Sequence, residues 1–319
     1  MTPELPPVEP RFPAKDTAGS RIDRSMQEIF LGPKGIRVVW RILIAVVLYE
    51  LLVFVLQIAL ITIPSVYEWW RLHGVTIFTP GVLFFSESVR VAAVLLVALA
   101  MTRVEERSFA EYGFPAREAF GRRFCQGLFY GLAMLTLLMA FMYALHGYSL
   151  GGWALGAGPG MRSALLYLLA FLLVGIFEEF WFRGYLQATL ESGIGFWPAA
   201  IALSIAFGAF HFRNPGEEQM GLLMASFFGL LAAFSLRRTG SIWFAIGMHT
   251  AWDWGQSCFY GVPNSGIVAT GHLMNSSLNG PNWLTGGSVG PEGSILVFPL
   301  LLLSAVAIGC MFPSKRKAV

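Results

Sequence analysis

Glu178-Glu179-Phe180-Trp181-Phe182-Arg183 lies within an otherwise apolar stretch that runs from Ser163 to Gln187. Some 15 residues of lipid-compatible sequence precede the two carboxylates. A charged side chain at the bilayer centre costs at least ~2.5 to 3.5 kcal/mol on insertion scales, so such residues are retained where they do chemistry or where a partner neutralises them. The alternative, a helix end that has slipped into the interface, would place the same residues at headgroup level.

The rest of the chain agrees with a membrane setting. Of its 319 residues, 55% are hydrophobic and 13% charged, with a mean hydropathy of +0.62. That is the composition of an all-α polytopic transmembrane bundle rather than of a soluble domain. Apolar segments of spanning length fall near 38–63, 82–101, 124–145, 163–190, 196–212, 219–236, 241–259 and 294–312, about eight spans. Residues 1–37 are polar and Pro-rich with no apolar segment before a cleavage site, and read as a cytoplasmic tail. Helices one to three with a basic loop occupy 38–145, a core of helices four to seven that carries the two glutamates 163–259, a Gly-rich outer loop 260–293, and the last helix with a basic tail 294–319. With both termini cytoplasmic, 17 basic residues lie inside and only Arg71, Arg162 and Arg213 outside, as the positive-inside rule requires. The loop 260–293 has no Lys or Arg and reads as a turn-rich surface segment. Ser108 to Phe114 reads as an amphipathic connector lying in the interface. Cys125, Cys258 and Cys310 form neither a disulfide framework nor a metal motif, and read as small buried apolar residues. The net charge of +3 points to no nucleic-acid partner. The expected partner at this level is the lipid bilayer.

Depth connects the polar residues of three helices. About the turn near Ser192 to Gly195, Glu178 and His211 lie at similar heights of ~21 to 24 Å, and His249 to Asp253 climbs to ~16 to 22 Å from Arg237-Arg238 on the same side. Spacing of i, i+4 puts Phe207 under His211 and Asp253 beside His249. Arg183 stands four residues after Glu179, the orientation that favours an ion pair, so Glu179 and Arg183 are expected to serve structure and positioning. Glu178 then remains the carboxylate available for proton chemistry. His73, His146 and His272 fall in outer loops and are expected to be solvated.

The ordered set Glu178-Glu179-x-x-x-Arg183, Phe207-x-x-x-His211 and His249-x-x-x-Asp253 resembles the CAAX-processing and bacteriocin-processing (CPBP) intramembrane glutamic endopeptidases. The resemblance covers roughly residues 163 to 256. It implies a cofactor-free, metal-free peptidase, acting on a peptide or membrane-protein substrate, in which Glu178 and His211 activate a water, while His249 and residue 253 stabilise the oxyanion. One position departs: better-understood relatives carry Asn where this chain has Asp253, and an ionised carboxylate would repel an oxyanion. Asp253 is therefore expected to be protonated or to orient His249; otherwise the chain is a poorer peptidase than the motif implies.

Other readings use the same residues. His211, His249, Glu178 and Asp253 suit zinc by type, although no HExxH is present. A non-enzymatic membrane scaffold or immunity protein needs no proton chemistry. A proton-coupled transporter would use the Glu and His chain, but no inverted repeat is visible.

Overall fold

A computed structural model describes residues 29–32, 35–74 and 79–313. The basic residues Arg11, Lys15, Arg21, Arg24, Lys34, Lys315, Arg316 and Lys317 lie outside the described residues, as do most of the two tails.

Helices stand at all eight expected positions. They are α1 (Val38–Ile61), α3 (Pro80–Glu105), α4 (Arg122–Ala144), α5 (Ala157–Ile194), α6 (Phe196–Phe210), α7 (Gln219–Thr239), α8 (Trp243–Trp254) and α9 (Val297–Met311), and a short α2 (Pro64–His73) follows α1. Six of them are long and apolar enough to cross a membrane: α1, α3, α4, α5, α7, and α6 together with the turn that follows it. The protein is an all-α integral membrane bundle. Its outward apolar side chains, such as Phe129 on α4 and Leu302 on α9, are exposed in the manner of lipid-facing residues.

Helix ends follow from local chemistry. Thr79 caps α3 by accepting from the Val82 amide at 3.3 Å, with Pro80 at the first helical position. Gly240 ends α7 in the left-handed region (φ +72°), and Gly195 at φ +84° makes the turn between α5 and α6. Helix α5 begins at Ala157, ahead of the expected 163, because Gly158, Pro159 and Gly160 blur the apolar pattern although proline is tolerated in a first turn. Its course is broken by a π turn over Phe180–Leu186, directly after the two glutamates.

Helix α8 is too short to span, and its position explains why. All residues from Trp243 to Asp253 are buried. Gly127 and Gly131 of α4 form a small-xxx-small face against it. A Cβ on Gly127 would fall 2.1 Å from the Phe244 carbonyl oxygen, and one on Gly131 would fall 2.1 Å from that of Met248. The two backbones therefore touch. On the other side Gly175 of α5 lets Thr250 approach, with a Cβ there 2.8 Å from Oγ1.

Two expectations need correction. The stretch 260–293 is a folded cap rather than a turn-rich surface segment: Val262, Ala269, Leu284 and Val289 are buried in it, and Ser277–Leu278 pairs antiparallel with Tyr148–Ser149. Its many glycines supply positive φ angles that fold apolar residues inward, a pattern without helical or strand period. Among the cysteines only Cys258 is buried; Cys125 and Cys310 are exposed on the bundle surface, where lipid accepts a small apolar side chain.

Replacing Gly131 by Leu should destabilise the purified protein by at least the ~1 to 3 kcal/mol typical of overpacking. Gly152→Ala, where an added Cβ meets nothing within 4 Å, should be near neutral. Thermal unfolding in detergent distinguishes the two.

Candidate functional site

The site begins where α5 carries Glu178 and Glu179 into the bundle. Glu178 is 7% exposed and Glu179 fully buried within the bundle. Burial obliges each carboxylate to find donors. Glu179 has two: His249 Nδ1 at 2.8 Å and Arg183 Nη1 at 3.5 Å. The i, i+4 ion pair is present as expected, yet the shorter contact is with His249. The ring N–H at Nδ1 donates to Glu179, which fixes the ring and turns Nε2 toward Glu178 Oε2 at 3.7 Å and Asp253 Oδ2 at 3.5 Å.

Arg183 is held from several directions. Its guanidinium lies 4.0 Å above the Phe207 ring centroid, and its Nε donates to the Gly229 carbonyl at 3.4 Å. A Cβ on Gly229 would come 2.3 Å from Nη2, so the glycine makes the space that the guanidinium fills. Phe207 also meets His211 edge-on at 4.8 Å between centroids and His249 at 6.1 Å. The His211 Nδ1 lies 2.9 Å from the Phe207 carbonyl, its i−4 partner, which leaves Nε2 for other work.

These groups face one cavity of about 130 Å³, lined by Glu178, Phe207, His211, His249 and Asp253 among others. Glu178 Oε2 is buried without a hydrogen-bond partner there. Among the described residues no three His, Cys, Asp or Glu side chains are arranged to hold a metal.

The cavity also contains residues that sequence reasoning missed. Glu87 and Arg90 reach it from α3, paired at 2.9 Å, and Asn264 and Glu292 reach it from the cap. Glu87 Oε2, like Glu178 Oε2, is buried without a partner. The charged pair inside the second apolar segment was the available signal for Glu87 and Arg90. Nothing in the spacing of the cap marks Asn264 or Glu292. His272, expected to be solvated, is partly buried and has Nδ1 2.9 Å from the Ala269 carbonyl.

Residues 160–255 match a family model described as type II CAAX prenyl endopeptidase Rce1-like. This core is similar to the CAAX-protease family, over slightly less than a third of the chain. The matched segment contains all three motif pieces, on α5, α6 and α8. The match supports a CAAX-type membrane protease in general terms, a hydrolase. No curated protein matches the chain.

Two expectations follow for this core and its cap. Glu179→Gln leaves Arg183 as a buried charge without its counter-charge and weakens the hold on His249. Thermal stability and membrane yield should fall, by roughly the 3 to 5 kcal/mol of a broken buried pair. Outside the spans, burial and the charges of Glu217 and Asp253 push the Glu292 carboxyl up to about 8, and burial pushes Glu217 up to about 7. The folded protein then keeps protons that the unfolded chain has released, so stability should fall as pH rises from the ordinary carboxylate range to about 8 and level off beyond. Melting temperature against pH for the natural chain and Glu292→Gln measures this, the variant having the shallower slope.

Proposed function

We propose that the chain is an intramembrane glutamic endopeptidase that hydrolyses a peptide bond of a membrane-associated or hydrophobic substrate with a water activated by Glu178 and His211. The observation that carries this reading is the ring of His249. It is clamped by Glu179 on one edge, and its other edge faces Glu178 and Asp253 across a cavity also lined by His211. A water needs roughly 10 to 15 Å³, so a cavity of about 130 Å³ has room for the nucleophile and part of a peptide.

The steps follow from proton bookkeeping. Glu178, which lines the cavity, takes a proton from a water that His211 Nε2 helps to orient. The water oxygen bonds to the substrate carbonyl carbon, and the carbonyl oxygen gains negative charge. A doubly protonated His249 donates Nδ1–H to Glu179 and presents Nε2–H to that oxygen, a fixed donor in a low-dielectric site. The proton on Glu178 then passes to the amide nitrogen, the C–N bond breaks, and acid and amine are released. Glu179 and Arg183 act through other groups and are positioning residues, as is Phe207, which packs against Arg183 and both histidines.

Asp253 fits this scheme in one of two ways. Its Oδ2 lies on the Nε2 side of His249, whereas Glu179 already orients the ring at Nδ1. Asp253 is therefore best read as a protonated neighbour of the oxyanion rather than as the group that sets the ring.

Glu178→Gln should lower hydrolysis by at least the ~10²-fold of general-base loss while expression and insertion persist. Asp253→Asn should hold or raise turnover, because it installs an amide donor beside the oxyanion. Steady-state cleavage of a fluorogenic hydrophobic peptide by purified variants decides both. Undiminished cleavage by Glu178→Gln would remove the mechanism and leave the scaffold reading.

A further inference from the structure

The cavity is built from one end of the bundle only. Helix α3 contributes Leu83, Glu87 and Arg90 from its first half, α6 and its following turn contribute His211 and Asn214 from the last residues, and α9 contributes Val297 from its start. Of the eight lining residues that are partly exposed, five (His211, Asn214, Ser265, Ile267 and Glu292) lie beyond helix ends in the cap and the turn after α6. The mouth is therefore at the cap face.

The opposite end is sealed. Below the glutamates, Phe180, Arg183, Tyr185, Gln187 and Thr189 are each 2% exposed or less. The connector Phe109–Tyr112 packs beneath them with its apolar side, Phe109 stacked on Phe180 at 5.7 Å and Tyr112 edge-on to Tyr185 at 5.3 Å. The Ile242 amide bonds to the Gly113 carbonyl at 2.8 Å and closes the remaining gap.

Charge separates these two ends. Among the described residues the sealed end carries Arg37, Arg41, Arg103, Arg107, Arg117, Arg122, Arg123, Arg237 and Arg238, and the cap end only Arg71, Arg162 and Arg213. Lys and Arg flanking spans are retained on the cytoplasmic side. We infer that the catalytic cavity opens to the non-cytoplasmic face, so that the substrate is a membrane-anchored peptide segment already carried across the bilayer. The class of reaction that supplies it is protein export, and a lipid-modified tail presented from the cytoplasm is not its substrate. This assignment of substrate class rests on the peptidase reading; the sidedness of the mouth does not.

The test has two arms. In a variant with Cys125, Cys258 and Cys310 replaced by Ser, a single cysteine at exposed Ser288 of the cap or at exposed Arg117 is treated with a membrane-impermeant maleimide in intact cells. Ser288→Cys should label in intact cells and Arg117→Cys only after permeabilisation; the reverse overturns the orientation. If the triple-serine chain fails to insert, reporter fusions within the cap and after Phe312 of the natural chain give the same answer, opposite sides with the cap outside being expected. In the second arm a fluorogenic hydrophobic peptide is added to spheroplasts expressing the natural chain or Glu178→Gln. Cleavage by the natural chain alone, less than about twofold faster after permeabilisation, supports outward access. Cleavage that appears only on permeabilisation overturns it. Outward labelling with no cleavage in either state sinks the peptidase reading and the substrate class with it, while the orientation stands.

Discussion

Glu179 is the one acid that two other functional groups cannot do without. It is fully buried, and a lone carboxylate in that position would be too costly to keep ionised. Arg183 on its own helix supplies the counter-charge, and His249 on α8 supplies the shorter hydrogen bond. The same contact fixes which edge of the imidazole meets Glu178 and Asp253. A buried pair of this kind contributes little net stability. Its effect is geometric: it leaves one arrangement of α5 against α8 in which Glu179, Arg183 and His249 are paired with one another.

That arrangement needs α8 close to α5, and the glycines provide it. Gly127 and Gly131 on α4 press α8 from one side by backbone contact, and Gly175 admits Thr250 on the other. In lipid there is no hydrophobic drive to bring helices together, so close approach by small residues substitutes for it. The π turn at Phe180–Leu186 begins where this packing ends. An extra residue in the turn re-aims the following side chains, which brings Tyr185 against Tyr112 and its hydroxyl to Glu105 Oε1 at 2.8 Å. The floor of the site and its reacting face are thus set by one interrupted helix.

Much of this was legible in the sequence because membrane proteins spend charge sparingly. Helix positions followed from apolar length, and the shared level of Glu178, His211 and His249 followed from counting residues to a common turn. What counting could not supply was contact between helices. The spacing of Glu179 and Arg183 is visible on one helix, whereas the 2.8 Å contact from Glu179 to His249 joins residues 70 apart in the chain. Gly127 and Gly131 form a small-xxx-small spacing in the sequence, but such a spacing does not say which helix it meets. The cap was misread for a different reason: its order comes from positive-φ glycines placing single apolar residues inward, which leaves no periodic trace.

The chemistry and the direction of access are encoded in different parts of the chain. Residues 160–255 contain the whole motif set, and their cavity has a mouth at one end whichever way the bundle is inserted. Within that segment the basic residues near helix ends are Arg162 and Arg213 at one face and Arg237 and Arg238 at the other, a weak bias. The strong bias comes from Arg103, Arg107, Arg117, Arg122 and Arg123 between α3 and α4, outside the matched core. A protease core can therefore keep its reacting groups while its flanking loops decide which compartment it serves. Resemblance confined to the core carries the type of bond that is cut, and the charge of the loops around it carries where the cut is made.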